Sequence, residues 1–135
     1  MVRRTQITLL LRGVLLIVGV HSLLLGSTIY FFTTPFYQFF FGVDPENFFF
    51  VKQAGLFLFL MGFFYLLPAF SLERFKPVIF LIVFSKVIAV AFLILNAHLT
   101  PSTLMIYLAA LADGAMATAI TVLFVLRTKY PENGS

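Results

Sequence analysis

The stretch PVIFLIVFSKVIAVAFLILNAH, Pro77 to His98, is apolar almost throughout and carries one lysine, Lys86, near its middle. An α-helix needs about 20 residues to cross the ~30 Å of hydrocarbon in a bilayer, and this stretch has that length. The stretch therefore predicts a transmembrane helix with a charge buried inside it.

The composition of the whole chain indicates a membrane protein. Its 135 residues are 61% hydrophobic and only 10% charged, and the mean hydropathy is +1.07. These values lie far outside the range of soluble domains, and the length leaves room for four spans and little else. The absence of cysteine excludes disulfides, thiolate nucleophiles and cysteine-ligated clusters.

Four apolar runs predict an all-α fold, a polytopic transmembrane four-helix bundle of up-and-down topology. The first run begins with basic residues but lacks a convincing cleavage site, so we interpret it as a retained helix rather than a signal peptide. Short links make the last three helices antiparallel neighbours. The single membrane domain covers 1–135, with spans at about 7–32, 45–67, 77–98 and 101–126 and an aromatic outer loop at 33–44.

Prolines and capping residues mark the predicted ends of the spans. Asp44 before Pro45, and Thr100 before Pro101, have the pattern of an N-cap followed by a first-turn proline. Pro68 predicts the end of the second span, because proline cannot supply the backbone N–H that continues a helix.

Basic residues fall on one side of this topology, which predicts that both termini are cytoplasmic. The opposite side carries Asp44, Glu46 and Lys52, and we expect Lys52 to extend outward toward one of the two carboxylates. A net charge of +4 that is located at helix ends orients a membrane protein and does not predict nucleic-acid binding. The basic residues on the first side are Arg3, Arg4, Arg12, Arg74, Lys76, Arg127 and Lys129.

Three ionisable residues are predicted to share one depth near the membrane midplane. Lys86 and Asp113 are equally far, roughly 20 Å, from the turn that joins the last two spans. Asp113 also lies among alanines, which would let a facing helix approach closely. His21 is near the centre of the first span. The sequence therefore predicts an intramembrane polar cluster of His21, Lys86 and Asp113.

Three interpretations of this cluster remain open. A neutralised buried pair would fix the register of two helices. A proton or ion relay, or a polar anchor for a ligand, is the functional alternative, and pairing with another subunit is the third. Haem or metal ligation by His21 would need a second ligand at the same depth, and His98 is predicted at the end of its span, so we predict no metal site.

Small residues predict close helix packing at two places. Gly55 and Gly62 are one heptad apart in the second span, in line with the glycines of the first span. Ala110, Gly114 and Thr118 repeat a small residue every fourth position in the last span. The 19 phenylalanines are explained mainly by lipid contact, and some of them are candidates to line a site for lipid, quinone or pigment.

The stretch QAGLFLFLMGFFYLLPAFSLERFKP, followed by one span with a central lysine and another with a central aspartate, resembles the DoxX-like superfamily of small four-helix bacterial membrane proteins. The resemblance covers roughly 35–126 and rests on Gly55, Gly62, Tyr65, Lys86 and Asp113. It implies a bacterial inner-membrane protein, and the founding members are similar to quinone-linked oxidoreductase subunits. The cysteines of some redox-linked relatives are missing here.

The functional expectation is a small accessory or scaffold subunit that packs against larger integral membrane subunits and lipids. We find no recognisable nucleophile, set of metal ligands or nucleotide-binding motif in the sequence, so it does not predict an enzyme. The alternative is a DoxX-like quinone-associated redox subunit, or a small transporter, that uses the midplane cluster.

Overall fold

Five α-helices and one 3₁₀ turn make up most of the described chain. The computed structural model describes residues 2–130, and for residues 2 and 3 the backbone alone. No strand occurs within residues 2–130. The elements are α1 (Val2–Phe31), α2 (Thr33–Phe41), α3 (Phe48–Phe70), α4 (Lys76–Asn96), a 3₁₀ turn (Ala97–Leu99) and α5 (Thr103–Lys129).

Four of these helices are long and apolar enough to cross a membrane: α1, α3, α4 together with its 3₁₀ turn, and α5. Most of their side chains point away from the protein interior, and many large apolar side chains are exposed. An exposed apolar surface of this extent is what lipid contact requires of a membrane protein.

The four long helices form a closed ring. The helix α1 packs on α3 and α5, and α4 packs on the same two helices from the other side. Arg127 in α5 donates hydrogen bonds both to Thr8 in α1 and to Glu73 in the connection between α3 and α4. These contacts bring three segments together at one end of the bundle, which we call the basic end.

The opposite end is covered by the short helix α2, in the outer connection whose conformation the sequence left open between an interfacial helix, a re-entrant loop and an extended cover. The helix α2 contacts α1, α3 and α5 and ends at Gly42, whose φ of 71° is readily adopted by glycine. Its aromatic rings pair one turn apart, Phe36 with Phe40 and Tyr37 with Phe41, each at 4.5 Å between centroids. We call this side of the bundle the α2 end.

The predicted start and stop of the second span are wrong by about one turn. The helix α3 begins after Asn47, whose side chain accepts hydrogen bonds from the backbone N–H groups of Phe49 and Phe50. Asp44 does not cap it, and its carboxylate accepts a hydrogen bond from the side chain of Gln38. The helix also continues through Pro68 to Phe70. The ring of Pro68 is fully buried, so packing holds the helix together past the missing hydrogen bond.

The last span also begins later than predicted. Thr100 follows the 3₁₀ turn and donates its backbone N–H to Ala97, so it closes α4 rather than opening α5. The helix α5 starts at Thr103, and no side chain caps it. Pro77 lies in the first turn of α4, as expected.

Glycines allow α1 and α3 to pack very closely. A Cβ atom built on Gly62 would lie 2.7 Å from Leu23 Cγ, and one on Gly26 would lie 2.6 Å from the carbonyl oxygen of Gly55. Both distances are too short for non-bonded carbon, so only glycine fits. Gly55 and Gly62, for which close packing is predicted, both lie at this contact between α1 and α3. Gly13, by contrast, has open space around it and takes no part.

Candidate functional site: a buried charge pair and its surroundings

Lys86 and Asp113 meet between α4 and α5, as the hairpin geometry predicts. Lys86 Nζ lies 2.5 Å from Asp113 Oδ1, and the two side chains are 6% and 17% exposed. An unpaired charge at this position would be costly, whereas a paired and hydrogen-bonded one is tolerated. The sequence places the two residues at one depth because the helical rise per residue is constant.

Two further residues from α3 and α4 complete the polar environment of the pair. The ammonium group of Lys86 lies 5.9 Å from the centroid of the Tyr65 ring, within the range of a cation–π contact. The hydroxyl groups of Tyr65 and Ser85 are 2.8 Å apart. Ser85 donates its only proton to the carbonyl of Ile82, so Tyr65 is the donor to Ser85. Three helices therefore contribute to the environment of the pair.

Sequence reasoning missed the roles of Tyr65 and Ser85. Ser85 adjoins Lys86 in the chain, and Tyr65 follows Gly62 by one helical turn. These positions could have suggested that both residues lie near the pair. The sequence does not show how α3 is rotated about its axis, so it does not show which way Tyr65 points.

His21 lies near the pair but is not bonded to it. It interacts electrostatically with both Lys86 and Asp113, yet it is exposed and makes no hydrogen bond within the described part of the chain. The predicted cluster thus consists of a directly bonded pair and a third residue beside it on the surface of α1.

Ser22, the next residue on α1, points inward. Its side chain is fully buried, and its hydroxyl has no hydrogen-bond partner among residues 4–130. An unsatisfied buried hydroxyl is uncommon, because it loses its hydrogen bonds to water without replacement. It adds a polar atom to the bundle interior on the helix that carries His21.

The polar residues at the α2 end do not form the predicted ion pair. Lys52 lies over the ring of Tyr30, with 5.5 Å from Nζ to the centroid, and has no carboxylate partner among the described residues. Asp44 and Glu46 instead line a cavity of about 580 Å³ at this end. The suggested ion pair of Lys52 with Asp44 or Glu46 is therefore not formed among the described residues, and Lys52 contacts the ring of Tyr30 instead.

Gly114 and Thr118 of α5 border an open groove beside α4 and are not tightly packed against that helix. Ala110 is buried, but Thr118 is exposed, and a Cβ atom on Gly114 would meet only Val90 Cγ2 at an ordinary 3.8 Å. The tight packing predicted for Gly114 and Thr118 is therefore absent from the structure. They line instead a groove of about 810 Å³, which we call the α5 groove, with Val90, Ile94, Tyr107, Ala110, Leu111, Ala115, Ala119 and Val122.

An ion pair joins the segments of the basic end. Arg127 Nη2 donates a hydrogen bond to Glu73 Oε1 at 2.7 Å, and Nε donates to Thr8 Oγ1 at 3.3 Å. The hydrogen bond and the positive charge of Arg127 lower the pKa of Glu73, which is otherwise largely exposed. This interaction links α1, α5 and the connection between α3 and α4.

The described residues contain no group of three or more His, Cys, Asp or Glu side chains arranged to hold a metal ion. What the buried pair can do chemically is limited to hydrogen bonding, charge compensation and proton exchange between a carboxylate and an ammonium group. The comparisons with known proteins returned no matching family model, curated protein or solved structure.

Proposed function

We propose that the protein is a non-catalytic accessory subunit that binds a transmembrane helix of a larger membrane protein in the α5 groove. The observation that carries this proposal is the open row of small side chains along α5. Small residues every fourth position allow two helix backbones to approach closely inside a membrane.

The contrast between the two small-residue faces supports the proposal. The glycine faces of α1 and α3 pack against each other, with the backbones of Gly26 and Gly55 in direct contact. In α5 the comparable face at Gly114 and Thr118 is not tightly packed, because its nearest neighbour is the side chain of Val90 in α4, at an ordinary 3.8 Å from a Cβ on Gly114. Small residues thus mediate a close helix contact between α1 and α3, whereas those along the α5 groove remain open to a partner helix.

The dimensions of the groove suit a helix. Its lining on α5 extends from Tyr107 to Val122, which is roughly 22 Å at 1.5 Å per residue, or about four helical turns. Outside the four candidate spans, the described chain consists of α2 and short connections. A partner would therefore be recognised mainly through the surface that faces the membrane.

The buried ion pair has a structural role in this account. Lys86 and Asp113 neutralise each other behind the groove, so they hold α4 and α5 in register and leave the groove itself apolar. A paired charge can specify a unique helix arrangement in this way.

A matched pair of alanine substitutions tests the proposal. Ala115 lines the α5 groove, whereas Ala112 is also exposed on α5 but lies outside it. A tagged chain extracted in mild detergent should recover a larger membrane protein in fixed stoichiometry. We expect Ala115→Leu to reduce that recovery severalfold and Ala112→Leu to leave it unchanged. Recovery of only the free chain or its homo-oligomer would exclude an accessory role.

A second candidate function rests on the polar residues beside the pair. His21 is exposed next to Lys86 and Asp113, and Ser22 carries an unsatisfied hydroxyl. These features favour a small transporter, or a DoxX-like quinone-associated redox subunit, that uses the cluster as a midplane polar site. In that case Asp113→Asn should abolish proton- or ion-linked activity in proteoliposomes while assembly stays intact. Loss of folding instead would favour the structural pair.

We also propose a bacterial inner-membrane location with both termini cytoplasmic. The basic residues at one end of the bundle support this orientation, since positively charged segments are retained in the cytoplasm. Tagging residue 130 and the connection at 43–46 with an impermeant label in intact cells would test it. Labelling at 43–46 and protection at residue 130 is the expected result.

A further inference from the structure

A second apolar groove lies between α4 and α5, nearer the basic end. Its volume is about 400 Å³, and its lining includes Phe80, Val83, Val87, Thr121, Phe124 and Val125. The rings of Phe80 and Phe124 meet edge to face at 5.3 Å and form part of the wall. We call it the basic-end groove, to distinguish it from the α5 groove described above.

A lysine stands at the mouth of this groove. Lys76 precedes Phe80 by four residues and Val83 by seven, so the three side chains lie on one face of α4. Lys76 Nζ is 5.8 Å from the centroid of the Phe124 ring, which lines the groove. Lys76 forms no ion pair among the described residues, and the nearby Glu73, on which its charge acts, accepts a hydrogen bond from Arg127. A positive charge thus lies over one of the aromatic rings that line this apolar groove.

We propose that the basic-end groove binds one acyl chain of an acidic phospholipid, whose phosphate group is held by Lys76. From Ile79 to Val87 the groove extends roughly 12 Å along α4, close to the ~15 Å depth of one leaflet. An apolar slot of this length with a cation at the interfacial end matches the two parts of such a lipid. Charge complementarity selects an anionic headgroup over a zwitterionic one.

This inference goes beyond the proposed accessory role and does not depend on it. The lipid would occupy residues near the basic end, whereas the partner helix would occupy the α5 groove. Lipid binding can be measured on the purified chain without any partner, so failure of one proposal is distinguishable from failure of the other.

The headgroup contact is tested by native mass spectrometry of the delipidated full chain, titrated with phosphatidylglycerol or phosphatidylcholine. Lys76→Gln should weaken phosphatidylglycerol binding about five-fold, as expected for one interfacial lysine, and leave phosphatidylcholine binding unchanged. Lys129→Gln is the matched control, since Lys129 is also an exposed lysine at the basic end but, unlike Lys76, is not the lysine that lies over the Phe124 ring. Equal losses in the two variants, or no loss in either, would overturn the proposal.

The acyl-chain contact needs a second pair of variants. Val87 lines the groove and is 52% exposed, whereas Ile88 is 53% exposed and lies outside it. Val87→Trp should fill the groove and reduce binding of both lipids, and Ile88→Trp should not. Circular dichroism of each variant verifies that the helices are intact. Unchanged lipid binding by well-folded Val87→Trp would overturn the proposal, as would loss of a homodimer without any change in lipid binding, which would assign the groove to a second copy of the chain.

Discussion

Lys86 Nζ and Asp113 Oδ1 lie 2.5 Å apart inside the bundle and connect α4 to α5, and their side chains are only 6% and 17% exposed. Tyr65, on α3, places its ring within cation–π distance of the Lys86 ammonium group. Because each charge compensates the other, removing one of them has a different consequence from removing both.

Asp113→Asn should destabilise the protein by about 3–5 kcal/mol, because it leaves the Lys86 ammonium buried without a counter-charge. The double variant Lys86→Met with Asp113→Leu should recover most of the stability that Asp113→Asn loses, since it removes both buried charges. The free energy of unfolding in detergent, measured by denaturant titration, provides the test. Asp44→Asn, at an exposed carboxylate, is the control and should cost little. A single variant as stable as the native chain would argue against a structural pair.

Gly26→Ala should separate α1 from α3. The added Cβ would collide with the carbonyl oxygen of Gly55 and with the backbone of Phe59, and backbone atoms cannot rotate away. Overpacking of this kind typically costs about 1–3 kcal/mol. Gly13→Ala is the matched control, because a Cβ at Gly13 has no atom within 4 Å. We expect Gly13→Ala to be neutral or slightly stabilising through its better helix propensity. Thermal denaturation of both variants checks the difference, and equal melting temperatures would contradict the close packing described.

Tyr65→Phe should reduce stability by about 0.5–1.5 kcal/mol, the usual contribution of one intramolecular hydrogen bond. The aromatic ring beside Lys86 remains, so the loss reports only the bond from the Tyr65 hydroxyl to Ser85. Tyr107→Phe, at an exposed tyrosine on α5, should have no comparable effect. A loss in Tyr107→Phe as large as that in Tyr65→Phe would mean that the hydroxyl contact to Ser85 is not specific.

Acidification should weaken the basic end through Glu73. Its pKa is lowered in the folded protein by Arg127, so the stabilising contribution is present above the ordinary glutamate pKa. It is lost as the pH falls from that value through the lower pKa of the folded state. Since Glu73 is largely exposed, the effect should be small and should diminish in high salt.

Melting temperatures measured between pH 6 and pH 3 test this prediction, because that range brackets the ordinary glutamate pKa of about 4.3. Glu73→Gln should reduce the dependence of the melting temperature on pH in this range. An unchanged dependence would mean that other titratable groups cause it.

The sequence predicts depth along the helices much better than rotation about them. Lys86 and Asp113 could be matched because both are counted from the same turn at a constant rise per residue. Gly55 and Gly62 could be assigned to a packing face because glycine has no other clear use in the middle of a span.

Rotation is harder to predict because lipid and protein interior are equally apolar. The side of α5 that carries Gly114 and Thr118 could therefore face a neighbour or the membrane, and the sequence does not distinguish the two. The same ambiguity hid the contact between Tyr65 and Ser85. Asn47 and Asp44 are similarly good N-caps by residue type, so the sequence does not show that Asn47 caps α3 while Asp44 accepts a hydrogen bond from Gln38.

The most direct test of the accessory-subunit proposal is photocrosslinking in the intact membrane, with a benzophenone side chain introduced at position 115 or at position 112. Both positions are exposed alanines on α5, and only Ala115 lines the α5 groove. The proposal predicts an adduct with a larger membrane protein from position 115 and a much weaker one from position 112. Equal crosslinking from both positions, or adducts only between copies of this chain, would contradict it.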